Sequence, residues 1–156
     1  MLIVGLGNPY CGDDAVGLIV ARQVRQALAG CAEAELAELP AAPFEVAERI
    51  AGRRRVVLID ALVDEHLPVG DLRRLQASEC KGQTAMGMHT AGLADALELG
   101  RLAGLAPPGQ LTVYGIVIRQ PLEFCEELSP ELEAALPEIV RRIAQEISAE
   151  PERAGP

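Results

Sequence analysis

The chain has 156 residues, 49 % of them hydrophobic, and a formal net charge of −9. That length suits one domain burying about 68–70 % of its unfolded surface, and with no Trp, two Phe and two Tyr its core is expected to be aliphatic. Nucleic-acid binding needs a basic footprint to displace counterions, which this composition lacks. No apolar run reaches the ~18 residues of a membrane span, and no cationic signal region precedes the first one.

Leu2-Ile3-Val4 is an apolar run of strand length, stopped by Gly5, Gly7, Asn8 and Pro9, which supply turn geometry. Asp13-Asp14 stand where a helix begins. Val16, Ile19, Val20, Val24 and Leu28 then share one face, placing that helix from Asp14 to about Ala29, with Gly30 as its end. Glu33 to Leu39 reads as a charged edge strand, and Phe44 to Ala51 as a short helix ended by Gly52. The basic run Arg53-Arg54-Arg55 is too short for a phosphate-binding patch and suits a helix C-terminal dipole. Arg55 to Asp60 is the clearest strand, a continuous apolar run fit for a central position covered on both faces, ending on Asp60.

Asp71 to Gln76 is a polar strand candidate, and Ala77 to Met88, without periodicity, is read as a mobile loop. His89-Thr90 opens a helix with Leu93, Ala94, Leu97 and Leu102 on its apolar side, ending near Gly104. Leu111 to Ile118 is another buried strand, in which Gly115 suggests a close backbone approach. Ser129-Pro130-Glu131 has the form of an N-cap, a first-turn proline and a first-turn acid. The helix it starts carries Leu132, Leu136, Ile139, Ile143 and Ile147 on one face, and Pro137 should kink or split it. Residues 1–149 form a single α/β domain in this reading, with a frayed tail over 150–156. Alternating strands and helices predict a three-layer α/β/α sandwich around a mostly parallel sheet.

In such a sheet ligands bind beyond the carboxyl ends of the strands. Asp14 follows the first strand and Asp60 ends the central one, so both belong to that edge. Neighbouring carboxylates repel, and one has its pKa raised unless a cation lies between them. With the imidazole of His89 they make a mixed oxygen and nitrogen set of three, which leaves a position open, as in catalytic rather than structural metal sites. Each residue also has a plain structural reading. Either Asp13 or Asp14 serves as an N-cap while the other faces the cleft, and His89 can be a helix-start residue in solvent. Asp60 is harder to dismiss, because an unpaired carboxylate beside a buried strand is costly. His66, among Asp64 and Glu65, is expected to be solvated. Cys11, Cys31, Cys80 and Cys125, widely spaced and without C-x-x-C, read as free thiols of a reduced, cytoplasmic protein. No serine or cysteine has a placed histidine, and Cys11 sits among acids that weaken it as a nucleophile.

Gly5-Leu6-Gly7-Asn8 followed by Gly12-Asp13-Asp14-Ala15-Val16-Gly17 resembles the opening of the hydrogenase maturation proteases. Val57-Leu58-Ile59-Asp60-Ala61, Met88-His89-Thr90-Ala91-Gly92-Leu93, Tyr114-Gly115-Ile116 and Leu128-Ser129-Pro130 follow in the family's order, so the likeness runs from residue 2 to about 147. It implies a phosphorylase/hydrolase-like fold with five strands, one antiparallel, for which Asp71 to Gln76 is the candidate. It also implies an endopeptidase that trims the C-terminal extension of a nickel–iron hydrogenase large-subunit precursor. On that likeness Asp14, Asp60 and His89 match three metal-contacting positions. The enzyme would hold no metal of its own and would sense nickel already in the precursor, although other divalent metals can occupy the site.

The chain departs from the family at Glu38-Leu39-Pro40, where many members have Asp-Gly-Gly. Glu38 keeps a carboxylate at the Asp position. Two routes to cleavage follow. Asp14 or Asp60 activates water, or the three residues only hold the nickel while Glu38 or Asp13 is the base. The large-subunit precursor is the expected partner of a monomer, with neither nucleic acid nor membrane. Leu2 to Pro9 also resembles the start of bacterial peptidyl-tRNA hydrolase, but the histidine that enzyme needs shortly afterwards is missing and the charge disfavours tRNA. A dinucleotide-binding reading fails because Tyr10 stands where the third glycine of G-x-G-x-x-G belongs. A non-catalytic binding member of the same fold is the remaining alternative.

Overall fold

The structure, a computed structural model, describes residues 1–30, 34–39, 42–75, 93–119 and 124–150. The strands are β1 (Leu2–Leu6), β2 (Glu35–Leu39), β3 (Arg55–Val63), β4 (Leu72–Leu75) and β5 (Gln110–Ile118). The helices are α1 (Val16–Ala27), α2 (Pro43–Ile50), α3 (Leu93–Leu102) and α4 (Pro130–Ala149), and a short 3₁₀ turn over Gly12–Ala15 leads into α1. The sheet order is β2-β1-β3-β5-β4, with β4 alone antiparallel.

Period-two alternation divides the core between the two faces of this sheet. Ile3, Val57, Ile59, Tyr114 and Ile116 pack with Val16, Val20 and Val24 of α1 and Leu132, Ile139 and Ile143 of α4. Leu2, Val4, Val56, Leu58 and Val113 pack on the other side with Val46 and Ile50 of α2 and Leu93 and Ala96 of α3. This is the expected α/β/α sandwich, with β1 and β3 buried on both faces and aliphatic side chains filling nearly all of both layers. β4 is the expected antiparallel strand. It is polar because it is an edge, where the exposed Arg73 and Arg74 discourage pairing with another chain.

Several expectations change in detail. β3 does not end on Asp60 but runs to Val63, since β5 continues to pair with it through Ile118. At Gly115 the close approach is by side chains, since a Cβ there would press on Leu75 and Leu62. Pro137 does not split α4, which is continuous over 20 residues. Pro137 lies on its exposed face, where water can satisfy the carbonyl left without a donor. Arg55 does serve a helix C-terminus, but that of α4: its guanidinium donates to the carbonyls of Ile147 and Glu150. Glu150 is the C-cap of α4, and its carboxylate pairs with Arg74. Residues 151–156 lie outside the described residues, as does the expected loop from Ala77 to Met88.

Candidate active site

β1 is followed by α1 and then by β2 on one side, whereas β3 lies on the other side of β1. The chain therefore parts between β1 and β3, and the carboxyl end of that gap is the switch point at which open α/β sheets bind ligands. β1 pairs with β3 only as far as Gly5 opposite Ile59. Asp60 is the first residue of β3 beyond that pairing. It keeps Gly115 of β5 as a neighbour while β1 turns away into the loop.

Two glycines let this loop close down on the sheet. Gly7 has φ +145°, and a Cβ there would fall on the carbonyl oxygen of Asp14. A Cβ on Gly17 would collide with the carbonyl oxygen of Leu6 and stand 2.6 Å from that of Ile59 and 3.2 Å from Asp60 Cα. The start of α1 thus rests directly on the ends of β1 and β3, so Asp14 and Asp60 are brought together.

The adjacent acids divide their work. Asp13 accepts hydrogen bonds from the Ser129 backbone N–H at 2.6 Å and from the Ser129 hydroxyl at 2.8 Å, tying the loop to the start of α4. Asp14 is buried and caps nothing in its own helix; its Oδ2 accepts the Asn8 N–H at 2.7 Å. Burial raises the Asp14 pKa, and the bond from Asn8 partly offsets that. At Asp60 burial is again the largest influence, opposed by the Ala61 N–H donating to Oδ1 at 2.8 Å and reinforced by the negative charge of Asp14. Its carboxyl is pushed up to about 7. No ion pair among the described residues reaches either acid. Two oxygen donors without a counter-charge suit a cation in their midst, and a group near 7 is also poised to exchange a proton at neutral pH.

The other candidates stand elsewhere. Glu38 lies on β2 opposite Gly5, so β1 separates it from β3. Its two oxygens accept from Nε and Nη2 of Arg22, both at 2.6 Å, and this pairing lowers its pKa. His89 falls outside the described residues, just before α3. Among the described residues no three His, Cys, Asp or Glu side chains gather as a metal cluster. His66 is exposed, as expected, with its N–H on Asp64. Neither the Asn8 bond to Asp14 nor the Ser129 bonds to Asp13 left a signal in the sequence. The first uses a backbone donor, and the second joins positions 116 residues apart.

Paired carboxylates at the switch point of an open α/β sheet stand where proteins of this architecture bind their ligands. The profile of the hydrogenase maturation protease family matches residues 20–146. The hydrogenase 2 maturation protease of Escherichia coli K12 is 28 % identical over 138 residues, 87 % of this chain and 83 % of that protein. The solved hydrogenase maturating endopeptidase HybD of Escherichia coli superposes with a TM-score of 0.71 at 26 % identity, over 95 % of this chain and 93 % of the other. HybD of Thermococcus kodakarensis, a nickel–iron hydrogenase maturation protease, gives 0.65 at 25 % identity, over 94 % and 97 %. The chain belongs to the hydrogenase maturation protease family, and so to the peptidases among the hydrolases.

Proposed function

We propose that this protein is the endopeptidase that removes the C-terminal extension of a nickel–iron hydrogenase large-subunit precursor once nickel has been inserted. The observation that carries this reading is the Asp14 and Asp60 pair at the β1/β3 switch point, with Asp60 held near 7 and no ion pair to either acid among the described residues. The precursor's nickel, as part of the substrate, supplies the missing positive charge between Asp14 and Asp60, with His89 as third ligand. An unloaded precursor brings no such charge and is held poorly, so recognition reports on whether insertion is complete. The protein needs no metal of its own, and it acts as a cytoplasmic monomer that pairs transiently with its precursor.

Of the groups available as base, Asp13 is engaged by Ser129 and Glu38 by Arg22. With nickel between Asp14 and Asp60, we assign the proton transfers to the Asp60 carboxylate oxygen that the metal leaves free, Asp14 serving as the fellow ligand. That oxygen takes a proton from the water whose oxygen adds to the scissile carbonyl carbon. It returns that proton to the amide nitrogen as the C–N bond breaks, leaving a new carboxyl terminus and a free amine.

Intact-mass spectrometry of the nickel-loaded large-subunit precursor of the same organism, incubated with this protein, tests the reading. A nickel-free precursor and an Asp60→Asn variant run alongside. Loss of one discrete C-terminal peptide, only with nickel and only with Asp60, is the expected result. No cleavage of any large-subunit precursor from that organism would overturn it and make peptidyl-tRNA the next substrate to try.

A further inference from the structure

The chain has four aromatic residues, and only Tyr114 is buried in the core. Tyr10, Phe44 and Phe124 are 51 %, 48 % and 78 % exposed. All three lie on segments that leave the carboxyl ends of parallel strands: Tyr10 after β1, Phe44 in the first turn of α2 after β2, and Phe124 after β5. A core this short of aromatics has nevertheless placed three of them in water around one rim, the rim that holds Asp14 and Asp60. Exposed aromatic groups gathered in one place mark contact surfaces, because each buries a large area when covered and loses few rotamers.

Tyr10 and Phe124 are also in contact with each other. Their rings stack with centroids 5.6 Å apart and planes within 3°. The backbone beneath them is pinned by the Cys125 N–H donating to the Tyr10 carbonyl and the Gly12 N–H donating to that of Cys125, a parallel bridge between Cys11 and Cys125. The Tyr10 N–H donates to the Asn8 side chain, and the Asn8 N–H donates to Asp14. The stacked pair is therefore one hydrogen-bonded turn away from the buried carboxylate. Beside Phe124 stand the exposed Glu126 and Glu127.

We propose that Tyr10 and Phe124 form a preformed shelf for the precursor segment next to the scissile bond, an extended stretch that carries an apolar side chain beside a basic one. The apolar group lies on the stacked rings and the cation faces Glu126 and Glu127. Because the two rings are already stacked before binding, less ordering entropy is lost on contact. This inference rests on the peptidase reading, since a peptide must cross the rim to reach Asp60.

Steady-state cleavage of the nickel-loaded precursor by the wild type, Phe124→Ala and the Tyr10→Ala/Phe124→Ala double variant tests it, with binding of the uncleaved precursor measured separately by calorimetry. Both side chains are exposed, and thermal melts check that folding is kept. The double variant should raise KM and weaken binding about tenfold or more while kcat stays within about twofold, a loss typical of a contact hot spot. Phe124→Ala should show a smaller change of the same kind. Glu126→Gln/Glu127→Gln should raise KM and flatten its dependence on salt. Leu102→Ala, 68 % exposed near the opposite edge of the sheet, should change nothing. An unchanged KM in the double variant, or a fall in kcat alone, overturns the shelf. If the wild type binds the precursor without cleaving it and the double variant loses that binding, the rings are a precursor contact but not one beside a scissile bond, and the shelf as proposed falls with the peptidase reading. If the wild type neither binds nor cleaves, both fall.

Discussion

A carboxyl group of ordinary pKa 3.8 is held near 7 at Asp60 by burial and by the charge of Asp14, against the pull of one backbone N–H. In the unfolded chain the same group ionises near its ordinary value. Between about pH 4 and pH 7 the folded state therefore binds more protons than the unfolded one, and stability falls as pH rises through that window. Above it the penalty is constant. Asp60→Asn, neutral at every pH, should melt higher than the wild type at pH 8 in the presence of chelator, with about 2–4 °C for each kcal/mol relieved. The gap should close as the pH is lowered to 4. A pH-independent difference in melting temperature would mean that Asp60 is not held neutral by its surroundings. Activity should divide the acids differently. Asp60→Asn should lose the roughly 10²–10⁴-fold that general base catalysis supplies, whereas Glu38→Gln, already tied to Arg22, should keep turnover within about tenfold. Equal losses in single-turnover assays would return Glu38 to the base position. The placement of Asp14 and Asp60 at the carboxyl edge of the sheet was legible from the sequence, because a carboxylate next to an apolar run is conspicuous. Which of Asp13 and Asp14 faces the crevice was not legible, because Ser129, which claims Asp13, is distant in the chain.

The elements that make the crevice are short and their glycines are placed to suit. Gly17 is the second residue of α1, and glycine is a poor helix former, yet a side chain there would overlap the backbone of Leu6 and crowd that of Ile59. Backbone cannot yield as a flexible side chain does, so the helix would have to lift from the sheet. Gly17→Ala should destabilise by about 2 kcal/mol or more and should also impair cleavage in whatever fraction still folds. A fully stable and fully active variant, judged by chemical denaturation and turnover, would show that Asp14 does not need α1 this close. Elements with strong local patterns, such as the apolar β3 and the Ser129-Pro130 start of α4, were plain in the sequence. The extension of β3 past Asp60 was not, since it depends on how far β5 pairs with it. Nor was the helix that Arg55 serves, because its carbonyl acceptors lie more than ninety residues away.

At the scale of the whole molecule, the two ends of the sheet have separate tasks. Near the amino ends, Arg55 closes the last turn of α4. At the carboxyl ends, two acids share a crevice without an ion pair among the described residues, in a chain whose net charge is −9. A divalent cation entering there should stabilise the entire fold, since whatever binds the native state alone raises its stability by RT ln(1 + [L]/Kd). Nickel added to the wild type at pH 7.5 should therefore raise its melting temperature, by about 2–4 °C for each kcal/mol of binding gained. The rise should shrink at pH 5, because the proton on Asp60 then competes with the metal. Asp60→Asn should lose most of the rise at both pH values, and His89→Ala should lose part of it if that residue is the third ligand. A rise that survives in Asp60→Asn would place the metal elsewhere. No rise in the wild type at millimolar nickel would mean that the carboxylates do not gather a cation without help from the precursor. Nickel sensing would then belong to the complex as a whole, and the same titration repeated with the bound, uncleaved precursor should recover the stabilisation.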